Sequence, residues 1–211
     1  MDFIIKNIEE TEISLEQLVP LMHESFKAYH DAGIHFTCSS MTIDQLKMNL
    51  AGCIVSVALK PISSSLLGMY ALRMSRDNRN KPFSYLEYIL VSPEAKHSGI
   101  GTALMKDVIH ASASARCSYI LSDTSCLAKV AVDFHMRNGF KIVGITSFKS
   151  TNYWSYKFRY QIDKPSIWNC SVYRCFRFLI SFSFVRLLKD VYGNYTKLGY
   201  LFNKLICRNC Q

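Results

Sequence analysis

Apolar positions in the first half of the chain recur at two different periods. Leu15, Leu18, Val19, Met22 and Phe26 return at helical spacing. Ser14 and Gln17 stand at its head, three apart, the spacing at which two side chains each satisfy a free helix amide. Gly33 offers a terminator, while Pro20, which has no N–H to donate, predicts a kink or a late start. Thr42 and Gln45 open a second, shorter helix by the same capping logic. The period then changes. Residues 2–7, 53–59, 66–74 and 83–91 read as strands, the last three joined by the turn at 61–65 and the polar loop at 76–81.

The second half alternates. Ile100, Leu104, Val108 and Ala111 mark a helix, 119–122 a strand, and Leu127, Val130, Ala131 and Phe134 another helix. Strands at 141–146 and 152–161 follow. A meander followed by alternating strands and helices predicts an α+β fold, with a mostly antiparallel, twisted sheet of six to seven strands flanked by helices. That fold is complete near residue 162, which divides the chain into a domain at 1–162 and an extension at 163–211.

Charge sets the extension apart. From Thr151 onward ten basic residues face only Asp163 and Asp190, so eight of the nine excess positive charges lie there. The segment is also aromatic, with Trp168, Tyr173, Phe176, Phe178, Phe182 and Phe184 among its basic residues. Neither the helical nor the strand period is clean; helices are preferred because the segment is long. Three roles fit it: a cap on the domain, a surface for an anionic membrane face, or, less favoured, a nucleic-acid dock. The chain opens without a basic, apolar leader, so the expected location is cytoplasmic, with peripheral contact at the inner membrane face under the second role. The eight cysteines are then expected as thiols, with Cys53, Cys117 and Cys126 as small core residues. No metal is expected. The histidines near residues 23–35 include no i, i+4 pair, and Cys170, Cys175, Cys207 and Cys210 are too loosely spaced to define a thiolate site.

The densest chemistry lies at residues 90–105. An apolar strand stops at Pro93, and a short loop with Gly99 and Gly101 leads straight into a helix. Glycines there let main-chain amides turn toward one point, and the start of a helix adds partial positive charge. Such a turn suits a diphosphate. It lacks the third glycine of the dinucleotide fingerprint and the Lys-Ser/Thr of a Walker loop.

Lys96, Gly99 and Gly101, with Val91, Pro93, Glu94, Ile100 and Leu104, resemble the acetyl-CoA-binding motif of the GNAT superfamily, with Lys96 where Arg or Gln is usual. Downstream, Ala131, Phe134, His135, Gly139 and Phe140 resemble its second motif, with His135 in place of the usual tyrosine. The resemblance implies that the strand before the loop splays from its neighbour to admit the pantetheine arm. It implies main-chain contacts to acetyl-CoA from Leu90 and Val91, and a diphosphate held by the backbone of His97, Ser98, Gly99, Ile100, Gly101 and Thr102. The Ser98 and Thr102 hydroxyls either add bonds or serve only as helix-start residues. Glu87, four residues before Val91 and expected on the same strand face, stands where members carry an acidic residue. It acts as the base for the acceptor amine, or it orients the acceptor or pairs with a cation. His135 either protonates the departing thiolate as an imidazolium or is a core residue. Ala128 replaces an asparagine that often contacts pantetheine, and Lys129 is a solvated helix-start lysine or, less favoured, a contact for the 3′-phosphate.

The first two helices usually border the acceptor, which makes His23, Glu24 and His30 candidate acceptor ligands or a solvated face. The expected function is transfer of an acetyl group from acetyl-CoA to a primary amine of a small or sugar-like acceptor. The rivals are a non-catalytic acyl-CoA sensor and an adaptor acting through the basic extension.

Overall fold

The computed structural model describes residues 2–162. The extension at 163–211, with its expected helices and its expected membrane or nucleic-acid contacts, lies outside the described residues. Seven strands form one sheet in the order β1-β2-β3-β4-β5-β7-β6. They are β1 (Ile4–Asn7), β2 (Cys53–Leu59), β3 (Leu66–Arg76), β4 (Pro82–Val91), β5 (Tyr119–Ser125), β6 (Lys141–Ser147) and β7 (Trp154–Gln161). All neighbours run antiparallel except β4 and β5.

Helices α1 (Leu15–Asp31) and α2 (Ile43–Leu50) cover one face, and α3 (Ile100–Ser114) and α4 (Lys129–Arg137) the other. Each face has its own core. Leu18, Met22 and Leu46 pack on Val57, Met69 and Ala71 beneath α1 and α2. Ile100, Leu104 and Met105 pack on Tyr70, Leu72, Leu86, Ile120 and Phe158 beneath α3 and α4. Nearly all of these side chains are sealed from water, each worth about 1.5–3 kcal/mol of burial.

The capping signals act as expected. Gln17 Oε1 accepts from the Ser14 amide at 2.8 Å, and Gln45 Oε1 from the Thr42 amide at 2.8 Å. Gly33, at φ +78°, closes α1: its amide donates to His30 O, and that of Ile34 to Tyr29 O, both at 2.9 Å. The expected late start at Pro20 does not occur. The helix begins at Leu15 and runs through the proline, because at its sixth position Pro20 removes only the one bond that would reach Glu16. The strand expected from residue 152 begins instead at Trp154, since Asn152 serves as a clip. Its Oδ1 accepts from the His35 amide at 3.1 Å, and its Nδ2 donates to Gly33 O at 2.9 Å. Of the cysteines expected in the core, Cys117 is buried while Cys53 and Cys126 are only half-buried.

Candidate active site

The sheet is split at its centre. β4 and β5 pair only at Ser84–Ile120, Tyr85–Leu121 and Leu86–Ser122, and beyond that point they part. A bulge in β4 marks the same level: its pairing with β3 steps from Leu86–Leu72 to Tyr88–Ala71 and passes over Glu87. An extra residue kinks and twists its strand and breaks the ladder. The result is a wedge opening into a cleft of about 1060 Å³. α1 borders it through Ser25, Phe26 and Tyr29, the first turn of α3 through Gly101 and Thr102, and α4 through Ala131 and Phe134.

The bulge also inverts the strand's faces. Leu86 lies on the α3 side with Ile89 and Val91, whereas Tyr88 and Leu90 pack beneath α1 and α2. Glu87 and Val91 therefore lie on opposite faces, not on the shared face expected from their spacing. Main-chain direction is inverted in the same way. The Ser92 amide donates to Leu67 O at 2.8 Å, and antiparallel pairing repeats every second residue. Leu90 thus turns its main-chain groups to β3, while Ile89 and Val91 turn theirs to the wedge. Leu90 still borders the cleft, with its main-chain groups engaged toward β3. Val91 O already accepts from the Ser25 hydroxyl at 3.2 Å.

At the mouth of the wedge the chain prepares an anion site. His97 and Gly99 take left-handed φ values of +63° and +87°, which swing successive amides to one side. Among the described residues, no amide from 97 to 102 donates to a main-chain carbonyl; the first such bond is Ala103 N to Gly99 O at 3.0 Å. Ile100 is fully buried and anchors the helix start from below. The two glycines differ in purpose. A Cβ on Gly99 would meet nothing within 4 Å, so glycine serves the backbone angle there. A Cβ on Gly101 would meet Phe134 at 3.4 Å and Val91 at 3.6 Å, so glycine there leaves room in the wedge. The Ser98 hydroxyl donates to Ala95 O at 2.5 Å and so holds the loop together. Lys96, His97 and Thr102 stand exposed on the rim. Free amides, a helix start and a rim lysine are what the diphosphate of coenzyme A requires.

Of the two parts expected of it, His135 has the surroundings of the second, a core residue. It is 4% exposed, with its ring 4.7 Å from Phe158 and edge-on to Phe134 and Phe140. Nδ1 lies 2.8 Å from Ala131 O, which can only accept, so Nδ1 carries the proton. Nε2 lies 3.1 Å from Ser122 Oγ, whose single hydroxyl proton is shared between this nitrogen and Leu86 O at 3.4 Å. Burial lowers its pKa, only partly offset by the Ala131 carbonyl and the Asp123 carboxylate. Burial that disfavours the charged ring, with both nitrogens engaged, gives His135 the surroundings of a core residue rather than of a proton donor to a thiolate.

Stability should report this. The unfolded histidine takes up a proton near pH ~6.5 while the folded one does not, so stability complete above that pH is lost as pH falls toward the folded pKa. Each unit of depression contributes about 1.4 kcal/mol to that loss. Urea midpoints at about pH 7.5 and about pH 5.5 should differ more in wild type than in His135→Gln; equal differences would mean that folding does not depress the His135 pKa.

The other expected site residues divide. Glu87 Oε1 accepts from Arg73 Nε at 2.8 Å, and the same guanidinium donates to Ala51 O at 2.7 Å and Asn49 O at 2.5 Å at the end of α2. Glu87 lines the cleft, but as one half of an ion pair. His23 is drawn elsewhere, its Nε2 3.0 Å from Met41 O. Glu24 is exposed and away from the cleft lining. His30 stacks on His35 at 5.0 Å and lines a second hollow of about 580 Å³ with Gln45 and Asn49; it adjoins the cleft through Phe36, Thr37 and Ser150. The structure adds residues that the pattern passed over. Asp123 lies just beyond the last β4–β5 pair and accepts a hydrogen bond from the Tyr85 hydroxyl. Its one signal in the sequence is a carboxylate inside an otherwise uncharged strand.

A mixed sheet wedged open beside a helix start with free amides defines an acyl-CoA-dependent acetyltransferase. The model of the acetyltransferase (GNAT) family matches residues 17–140, more than half of the 211-residue chain. The chain belongs to the GNAT acetyltransferase family, and acetyl-CoA is its co-substrate. Solved structures share the fold. The ribosomal-protein-S18-alanine N-acetyltransferase from Escherichia coli superposes with a TM-score of 0.60 at 12% identity, over 81% of this chain and 99% of that one. The PaiA N-acetyltransferase from Thermoplasma acidophilum, in complex with coenzyme A, gives 0.58 at 19% identity, over 76% and 99%. No curated protein matches the sequence.

Proposed function

We propose that the protein transfers the acetyl group of acetyl-CoA to the primary amine of a small, sugar-like molecule by direct attack in a ternary complex. The observation that carries this reading is the two-sided wedge. Free amides and the α3 start stand at its mouth, while the Glu87 and Asp123 carboxylates and a wall of aromatic rings line the cleft behind it. In this reading the amides of residues 97–102 hold the diphosphate and Lys96 adds charge at the rim. The groups that Ile89 and Val91 turn to the wedge position the pantetheine arm and face the thioester carbonyl, where a fixed donor lowers the barrier. The hollow beside the cleft supports a polar acceptor body, since Ser39, Ser40, Gln45, Asn49 and His30 line it with hydrogen-bonding groups.

A second reading, a non-catalytic acyl-CoA-binding regulator, is favoured by His135, which is buried with both ring nitrogens already engaged. Thiol release from acetyl-CoA over a panel of amines, amino sugars included, separates the two. Turnover with at least one polar primary amine is expected. Tight coenzyme A binding with no thiol released on any amine would sink the transferase and leave the regulator.

A further inference from the structure

Two carboxylates line the cleft just past the point where β4 and β5 part. Glu87 is the first residue of β4 past the last shared pair, and Asp123 the first of β5. Their surroundings differ. Glu87 is neutralised by Arg73 at 2.8 Å. Asp123 has no cation within ion-pair distance among the described residues, where the two ion pairs are Lys27–Asp31 and Arg73–Glu87. Its cross-strand neighbour Lys157 is exposed. One Asp123 oxygen accepts from the Tyr85 hydroxyl, which fixes the carboxylate's orientation and leaves the other oxygen open to the cleft. Burial and the Asp123 charge both raise the Tyr85 pKa, so the phenol remains a donor.

The groups around this carboxylate are Tyr85 and Glu87 from β4, Lys157 from β7, Tyr153 just before β7, and His135 from α4. Aromatic rings continue from there: Phe36 lies 5.1 Å from Tyr153, 5.0 Å from Phe26 and 5.2 Å from Tyr29. All four line the same cleft. A lone carboxylate behind aromatic faces is the surrounding an organic ammonium prefers, through charge pairing and attraction to the rings.

Resting on the acetyl-transfer reading, we propose that Asp123, held by Tyr85, receives the acceptor as its ammonium ion and takes its first proton, so that the natural acceptors are primary alkylamines. One ammonium proton passes to the open Asp123 oxygen. The freed nitrogen pair forms the C–N bond as the C–S bond of the thioester breaks. A second nitrogen proton ends on the departing sulfur, which leaves as the thiol, and Asp123 returns its proton to water. Glu87, already paired, positions Arg73 and the end of α2.

The test compares acceptors that carry a charge with acceptors that do not. Full-length wild type, Asp123→Asn and Tyr85→Phe are assayed near neutral pH with primary alkylamines and with hydrazides, which are uncharged there. Asp123→Asn is expected to lower kcat/KM for alkylamines roughly a hundredfold and for hydrazides less than about threefold. Tyr85→Phe should show the same selectivity at roughly a tenth of the effect. Asp123→Glu should recover much of the alkylamine rate, and coenzyme A affinity by calorimetry should be unchanged throughout. Equal losses on both acceptor types, or none on either, overturn the role of Asp123 and leave acetyl transfer standing. A wild type that binds coenzyme A but turns over no amine overturns both.

Discussion

Gly101→Glu is expected to abolish coenzyme A binding in a protein that still folds. A Cβ at Gly101 points between Phe134 and Val91, into the slot between α4 and β4. Alanine fits there at ordinary contact distance, so Gly101→Ala serves as the matched control. A glutamate would extend from the same Cβ toward the free amides of the α3 start and present them with an internal anion. Loss of two charge-assisted bonds to the diphosphate, at about 1.5–3 kcal/mol each, amounts to roughly a hundredfold to ten-thousandfold in affinity. Titration calorimetry with coenzyme A checks it, and circular dichroism confirms the fold. Heat equal to that of wild type from the glutamate variant would place the diphosphate elsewhere.

How far the sequence leads is clearest at β4. Its existence and length were legible from residues 83–91, as was the glycine-marked turn that follows. The bulge was not. Leu86, Tyr88, Ile89, Leu90 and Val91 are apolar on both faces, so alternation along them carries no sign, and one skipped residue reverses every later side chain without a trace in the pattern. That reversal put Glu87 and Val91 on opposite faces and turned the main-chain groups of Ile89, rather than those of Leu90, to the wedge. The Arg73–Glu87 pair was hidden for a related reason: the two residues meet only through the β3–β4 register. His135 was correctly placed on a helix by its neighbours' periodicity. What periodicity does not say is how deep a side chain lies, and three phenylalanines from α4, β6's approach and β7 close over this one. Asp123 went unweighed because a single carboxylate in a strand ordinarily faces water. Only the early parting of β4 from β5 gives it a cleft to face.

The stability of that split sheet rests heavily on Phe158, and Phe158→Ala should show it. The residue is fully buried at the centre of β7, opposite Ser122 of β5 and Ile142 of β6. Its ring stacks on His135 and stands edge-on to Tyr156 at 6.4 Å. Truncation removes apolar burial and leaves a cavity between strands that cannot close on it, because β5 and β6 hold their spacing through the ladder. A cost of about 3–5 kcal/mol is expected, against a total for such domains of about 5–15 kcal/mol. Phe158→Leu, which keeps most of the volume, should cost less than about 1.5 kcal/mol. Urea denaturation measures both. The variant also tests the link to the site, since water admitted beside His135 relieves the desolvation that depresses its pKa, and the acid-side loss of stability should shrink with it. Coenzyme A at a hundred times its Kd should restore about 2.7 kcal/mol if the wedge survives the truncation. A cost below about 1 kcal/mol for alanine would mean that the aromatic cluster behind α4 does not hold the sheet together.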